Sequence, residues 1–427
     1  GGTVTVRTPD QRSARRPVPD PYSAAGAEDP ADARRGRRSA RKRVARPAAA
    51  VWRWGLPAVL AVLAVLTVVL SVTGAQLVLD SRDGRVARAE LDPSKPGYLA
   101  TVAPTPTMLV AHVSDGELIG VVVLALGPGE TGGGAVVLPS NTWIIEGETG
   151  SELRTIYEQH GLANPETGEG VVAAVSKLLH ADFDTTLIVD ATQLAPLIEP
   201  VAPLRYSLPD PVRERRGGDT VTVLPQGEVQ IDTTDEVIAA TETLAPNESP
   251  VRRTERQQRF WQAWIDAVRA APDPAAAFPE GSSSTEIARF MRGLAAGQAR
   301  VDILPYIRYQ ELIVPHPEDI AEYVLRLIPY PRQDGVRVSV ALYNGVGDLS
   351  LNAVVSRQLV AAGAQIVSLG NPAAFGVEKT SVVYHDPIWR SQAEELADAI
   401  GATEVRFEEK RDSEIGVTVT IGADYAP

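Results

Sequence analysis

The sequence predicts an α/β protein, with a layered α/β domain and a small C-terminal α/β sandwich after one N-terminal transmembrane helix. Three observations carry this. A run of 26 residues without a charge, Trp54 to Leu79, follows a basic tail. From about 107 to 270, apolar runs of strand length alternate with segments of helical periodicity, the pattern of layered α/β domains. From 336 to 425 the elements read β-α-β-β-α-β-β.

The tail comes first. Residues 1–53 hold 13 basic and 5 acidic residues, a balance of +8 that leaves -21 for the other 374 of the 427 residues. Its Arg, Pro, Ala and Asp content with almost no aromatic residues predicts a disordered segment drawn to anionic headgroups. Residues 54–79 follow as the transmembrane helix, since about 20 apolar residues span the hydrocarbon core. Pro57 falls in the first turn, and Trp52 and Trp54 sit where an aromatic belt lies. A cleavable signal peptide is the rival reading, with Thr73-Gly-Ala75 as a cleavage site, but its apolar region usually has only about 7–15 residues. The basic residues between Arg34 and Arg46 place the tail in the cytoplasm and everything after about residue 80 outside. The expected location is the cell membrane, single-pass, with extracytoplasmic domains.

Residues 80–106 are turn-rich and read as a juxtamembrane stalk. The first folded domain spans 107–270. Met108–Val113 and Leu118–Leu126 form a hairpin about Ser114-Asp-Gly116, Ala135–Leu138 adds a strand, and Ser151–His160 and Gly170–His180 are helical. Thr186–Val189 is a strand, Ala191–Ile198 a short helix, and Arg253–Arg269 a longer one. Residues 271–335 read as a linker with short helices. In the last domain, 336–425, Gly363 and Gly401 stop its two helices.

The total absence of cysteine excludes disulfides, thiolate nucleophiles, Cys-ligated zinc and iron–sulfur clusters. Five scattered histidines (His112, His160, His180, His316, His385) show no paired ligand spacing, so no metal site is expected from them. Gly127–Gly134 lacks the Lys-Ser/Thr ending of a phosphate-binding loop. No basic patch interleaved with aromatics occurs in the acidic outer body, which argues against nucleic acid as a partner.

Ala341-Leu-Tyr-Asn-Gly345, Leu359-Val-Ala-Ala-Gly363, Leu369-Gly-Asn371, Val382-Val-Tyr384 and Thr420-Ile-Gly-Ala-Asp-Tyr425 together resemble the LytR C-terminal domain of bacterial envelope proteins. The earlier region resembles a diverged LytR-CpsA-Psr (LCP) domain. That resemblance implies a phosphotransferase moving a glycopolymer from a polyprenyl-pyrophosphate carrier to peptidoglycan, with arginines and Mg²⁺-binding aspartates about the pyrophosphate. Phosphoryl transfer works mainly by positioning and charge neutralisation, which is why those residue types are needed. Three of the family's motifs are lost here. Pro104-Thr-Pro-Thr-Met108 has proline at both functional positions, Leu138-Pro-Ser-Asn-Thr142 has Ser140 and Asn141 in place of arginine and aspartate, and Glu152-Leu-Arg-Thr-Ile-Tyr157 has an acid in place of a base.

One motif survives. Arg253-Thr-Glu-Arg-Gln-Gln258 is similar to the family's Arg-x-x-Arg-Gln-Gln, which makes Arg253, Arg256 and Gln257 the candidates for pyrophosphate or polyprenyl-phosphate binding. Arg253 and Arg256, three apart on a helix, share a face, whereas Gln257 faces elsewhere. Arg213, Arg215 and Arg216 are weaker candidates for a relocated cluster. Two readings result. The lost charges favour a membrane-anchored, extracytoplasmic binding, scaffolding or regulatory module of cell-envelope assembly, a pseudoenzyme whose partners are polyprenyl-linked glycopolymer, peptidoglycan or envelope proteins. The alternative is an active transferase, and only that reading calls for Mg²⁺.

Overall fold

The computed structural model describes residues 90–146, 149–164, 169–246, 248–274, 276–278, 282–309, 312–410 and 414–426. The expected tail (1–53) and transmembrane helix (54–79) lie outside the described residues. Among the described residues, no helix is long and apolar enough to cross a membrane.

The first domain is built on a five-stranded sheet. Its spatial order is Ala299–Ile303, Gly133–Pro139, Glu117–Leu126, Thr107–Ser114 and Thr185–Val189. The two outer pairings are parallel and the two inner ones antiparallel. Side chains alternate across the pleat, and here both faces are buried. Met108, Val110, Val122, Leu124 and Val137 enter one core with the helices Ala191–Ile198, Thr234–Thr241, Pro250–Ala270 and Ser282–Ala296. Leu109, Ala111, Val121, Val123 and Leu138 enter the other with Leu153–His160, Val171–Leu179 and Pro317–Leu327. The result is a three-layer α/β/α domain.

Gly133, at the start of an inner strand, shows why glycine is needed there. Its φ is +126°, and a Cβ there would lie 2.1 Å from the Ala125 carbonyl oxygen.

Residues 271–335 are more than a linker. Ser282–Ala296 buries Ile287, Phe290, Met291 and Leu294 in the first core, Ala299–Ile303 is an edge strand of the first sheet, and Pro317–Leu327 covers its second face. Periodicity locates these elements, but only pairing with Gly133–Val137 assigns them to the first domain. The mixed stretch after Leu204 resolves into two antiparallel pairs, Leu204–Leu208 with Gly227–Ile231 and Val212–Arg216 with Asp219–Leu224, and a helix, Thr234–Thr241. Thr233 and Glu236 open that helix as a reciprocal capping box.

The C-terminal domain holds a six-stranded sheet, ordered Leu99–Thr101, Ala364–Gly370, Val338–Asn344, Val417–Ile421, Ser381–Tyr384 and Glu404–Phe407. Ser350–Ala361 and Arg390–Ile400 pack on it around Val340, Leu359, Leu396 and Val419. Its first strand comes from the turn-rich segment assigned above to a stalk. Leu99, Ala100 and Thr101 pair antiparallel with Gly370, Leu369 and Ser368. Asn371 Nδ2 holds the approach by donating to the carbonyls of Pro93 (2.8 Å) and Lys95 (2.7 Å).

Candidate functional site

The surviving motif occupies the first turns of Pro250–Ala270. Proline at its first position costs little, because that N–H has no intrahelical partner. Further along, Phe260, Trp261 and Trp264 pack on one another and Trp264 on Phe278, with neighbouring rings 5.3–6.4 Å apart, and fill the space beneath the sheet. Toward the N-terminus the same buried face becomes polar. Arg253, Arg256 and Gln257 are only 8%, 5% and 3% exposed.

These three side chains converge on one feature, the C-terminal end of the Thr234–Thr241 helix. Arg256 donates from Nε to the Ala240 carbonyl (3.0 Å), from Nη2 to that of Thr243, and from Nη1 to Glu248 Oε1 (2.5 Å). Gln257 Nε2 donates to the Thr241 carbonyl (2.7 Å). Arg253 donates to the carbonyls of Glu242 (3.3 Å) and Ile119 (3.2 Å) and to Ser140 Oγ (3.4 Å). A helix leaves its last four carbonyls unmatched and carries partial negative charge there, so guanidinium groups satisfy both demands. Burial, and secondarily the charge of Arg256, push the Arg253 guanidinium down to about 10.

Gln257 does not face away from the arginines in effect. It is buried beside the same helix end, and its Oε1 would lie 3.2 Å from a Cβ at Gly120, so glycine at 120 leaves room for the amide.

Arg213 and Arg256 line one cleft of about 440 Å³, together with Arg252, Arg259, Asp210 and Glu248. Arg253 does not line it. Arg252 is within 3.4–3.5 Å of Asp210 and Glu255. Arg215 and Arg216 do not join the cleft, and Arg216 pairs with Glu214 at 2.9 Å on the exposed hairpin. The motif reading passed over Arg252, Arg259 and Glu248. The spacing 252, 256, 259 places Arg252 and Arg259 on the face of Arg256, a signal visible in the sequence.

The residues about Arg253 do not suit Mg²⁺. Ser140 and Asn141 are neutral, and the nearby Glu242 carboxylate is engaged by His112 Nε2 (2.8 Å), Ser114 Oγ (2.8 Å) and the Ala191 N–H (2.6 Å). Among the described residues, no group of three or more His, Asp or Glu is placed to hold a metal ion.

Residues 337–425 match the family described as LytR cell envelope-related transcriptional attenuator, over the domain whose motifs carried that resemblance. Solved structures similar to the chain include those of LCP proteins. One is B. subtilis TagV, 16% identical, with 52% of this chain and 96% of TagV covered at a TM-score of 0.40. Another is the LytR-CPS2A-psr family protein YwtF (TagT) with bound octaprenyl pyrophosphate lipid, 15% identical, with 56% and 91% covered at 0.38. A third is a LytR-Csp2A-Psr enzyme from Actinomyces oris, 17% identical, with 52% and 94% covered at 0.39. No curated protein sequence matches the chain.

Proposed function

We propose that this chain is a membrane-anchored, extracytoplasmic protein of cell-envelope assembly whose first domain binds, scaffolds or regulates without catalysing transfer. The observation that carries the reading is the capping of residues 240–243. The two arginines that would meet a pyrophosphate are buried, and three of their protein acceptors are carbonyls at one helix end. Withdrawing either for a ligand would leave those carbonyls unmatched. The envelope setting is supported by the match over 337–425, and the anchor by the uncharged run 54–79 behind its basic tail. Lipid-linked glycopolymer, peptidoglycan and envelope proteins are the partners this reading takes.

The test is to incubate the purified chain with a polyprenyl-pyrophosphate analogue and Mg²⁺, alongside Arg253→Ala/Arg256→Ala. The expected result is no cleavage by either protein. Metal-dependent pyrophosphate cleavage that disappears in the folded double variant would establish the transferase instead.

A further inference from the structure

The cleft beside Arg213 and Arg256 does not end the basic surface. A further cleft, of about 400 Å³, continues along the same helix, with Arg205, Tyr206, Gln258, Arg259 and Gln262 in its lining. Arg259 lines both clefts, so they adjoin. On the helix their linings run from Arg252 to Asp266, about 21 Å at 1.5 Å per residue. Burial holds the Tyr206 hydroxyl above the usual tyrosine range, and the charges of Arg256 and Arg259 act against it, which sets both guanidinium groups close to that ring.

Every carboxylate of the two linings already has a cationic partner. Asp210 and Glu255 lie 3.4 and 3.5 Å from Arg252, Glu248 lies 2.5 Å from Arg256, and Asp266 lies 2.5 Å from Arg269. Arg205, Arg213 and Arg259 are exposed and have no hydrogen-bond or ion-pair partner among the described residues. In a chain that carries -21 beyond its tail, three uncompensated guanidinium groups along one groove favour an elongated anion.

Two other features narrow its class. Gln262 Oε1 accepts from the Val301 N–H (3.0 Å), and Gln258 Nε2 donates to the Val301 carbonyl (2.7 Å). Val301 belongs to an edge strand of the first sheet, so these glutamines occupy the groups an added peptide strand would need. Among the described residues, Tyr206 is the only aromatic side chain lining either cleft, which leaves stacked bases without a platform.

We propose that the two clefts form one groove that binds a linear anionic glycan, whose phosphate or carboxylate groups accept in turn from Arg213, Arg259 and Arg205. The choice of a glycan rests on the envelope reading above, whereas the charge and length of the groove do not. A single exposed ionic contact is weak, so affinity comes from several anionic groups on one chain.

The experiment is calorimetric titration of the full chain in detergent with octagalacturonate, phosphomannan, galacturonate monomer, neutral mannan and poly-L-glutamate. Octagalacturonate or phosphomannan is expected to bind, and the tighter of the two identifies carboxylate or phosphate as the recognised group. Binding should weaken as salt shortens the Debye length from about 10 Å at 0.1 M to about 3 Å at 1 M. Arg205→Gln/Arg213→Gln/Arg259→Gln should weaken the anionic glycan about tenfold or more, while Arg357→Gln, which removes an exposed arginine of the C-terminal domain, should leave it unchanged. Failure of both anionic glycans to bind would overturn the proposal. So would equal binding of the monomer, neutral mannan or poly-L-glutamate, unaltered binding in the folded triple variant, or a loss as large in Arg357→Gln. Pyrophosphate cleavage by a chain that binds these glycans would instead overturn the non-catalytic reading and leave the groove standing.

Discussion

Arg256 Nη1 lies 2.5 Å from Glu248 Oε1 with both side chains largely buried, and the same guanidinium caps the carbonyls of Ala240 and Thr243. The ion pair and the helix cap are therefore one structure. Removing one partner of a buried pair leaves an uncompensated charge, typically at a cost of about 3–5 kcal/mol. Arg256→Ala is expected to lower unfolding stability by about that amount, read from the denaturant midpoint. Arg256→Lys should recover little, because an ammonium cannot span three acceptors in a plane. A loss below about 0.5 kcal/mol would be that of an ordinary surface residue.

Glu242 sets an acid limit on stability. Burial would raise its carboxyl, but hydrogen bonds from His112, the Ala191 N–H and Ser114 outweigh that and hold it below the usual glutamate range. The folded state thus binds this proton less readily than the unfolded chain. The contribution is complete above the unfolded value near 4.5 and is lost as pH falls through the lower folded value. Melting curves across that window should flatten in Glu242→Gln relative to the unchanged protein, and parallel curves would show that the carboxylate does not carry the effect.

Arg337 ties the domains together. It joins the His180 carbonyl of the first domain to the Val360 and Ala364 carbonyls of the second, and burial pushes its guanidinium down to about 10. Hydrogen bonds to charged groups are worth about 1.5–3 kcal/mol each. Arg337→Ala is expected to speed proteolysis between residues 329 and 337 before either core unfolds. Cleavage at the parent rate would show that the domains hold without it.

Asn371 fastens the segment that precedes the first domain onto the last one. Its amide donates to the carbonyls of Pro93 and Lys95, and its own N–H donates to the Tyr98 carbonyl. Asn371→Ala should raise hydrogen exchange selectively at Leu99–Thr101, the three-residue edge strand. Unchanged protection there would mean that pairing with Ser368–Gly370 suffices.

Local pattern was legible wherever burial follows a simple period. The near-continuous apolar runs Met108–Val113 and Leu118–Leu126 announced a hairpin of buried strands, because a strand covered on both faces has no polar side to alternate, and helices do cover both faces. The Arg253-to-Gln258 motif was equally visible. Its acceptors were not, since the carbonyls of 240–243 reach those side chains only once two helices pack end against side.

By itself, the sequence determined the order of elements in the C-terminal domain, the split between a +8 tail and a -21 remainder, the absence of thiol chemistry and the C-terminal family match. Each of these depends on composition or on short-range periodicity. Tertiary structure alone decided that 282–328 belong to the first domain, that 99–101 complete the last sheet, and that Arg253 and Arg256 cap a helix. Those outcomes depend on groups far apart in the chain, where hydrogen bonding and burial are settled by packing rather than by neighbours in sequence.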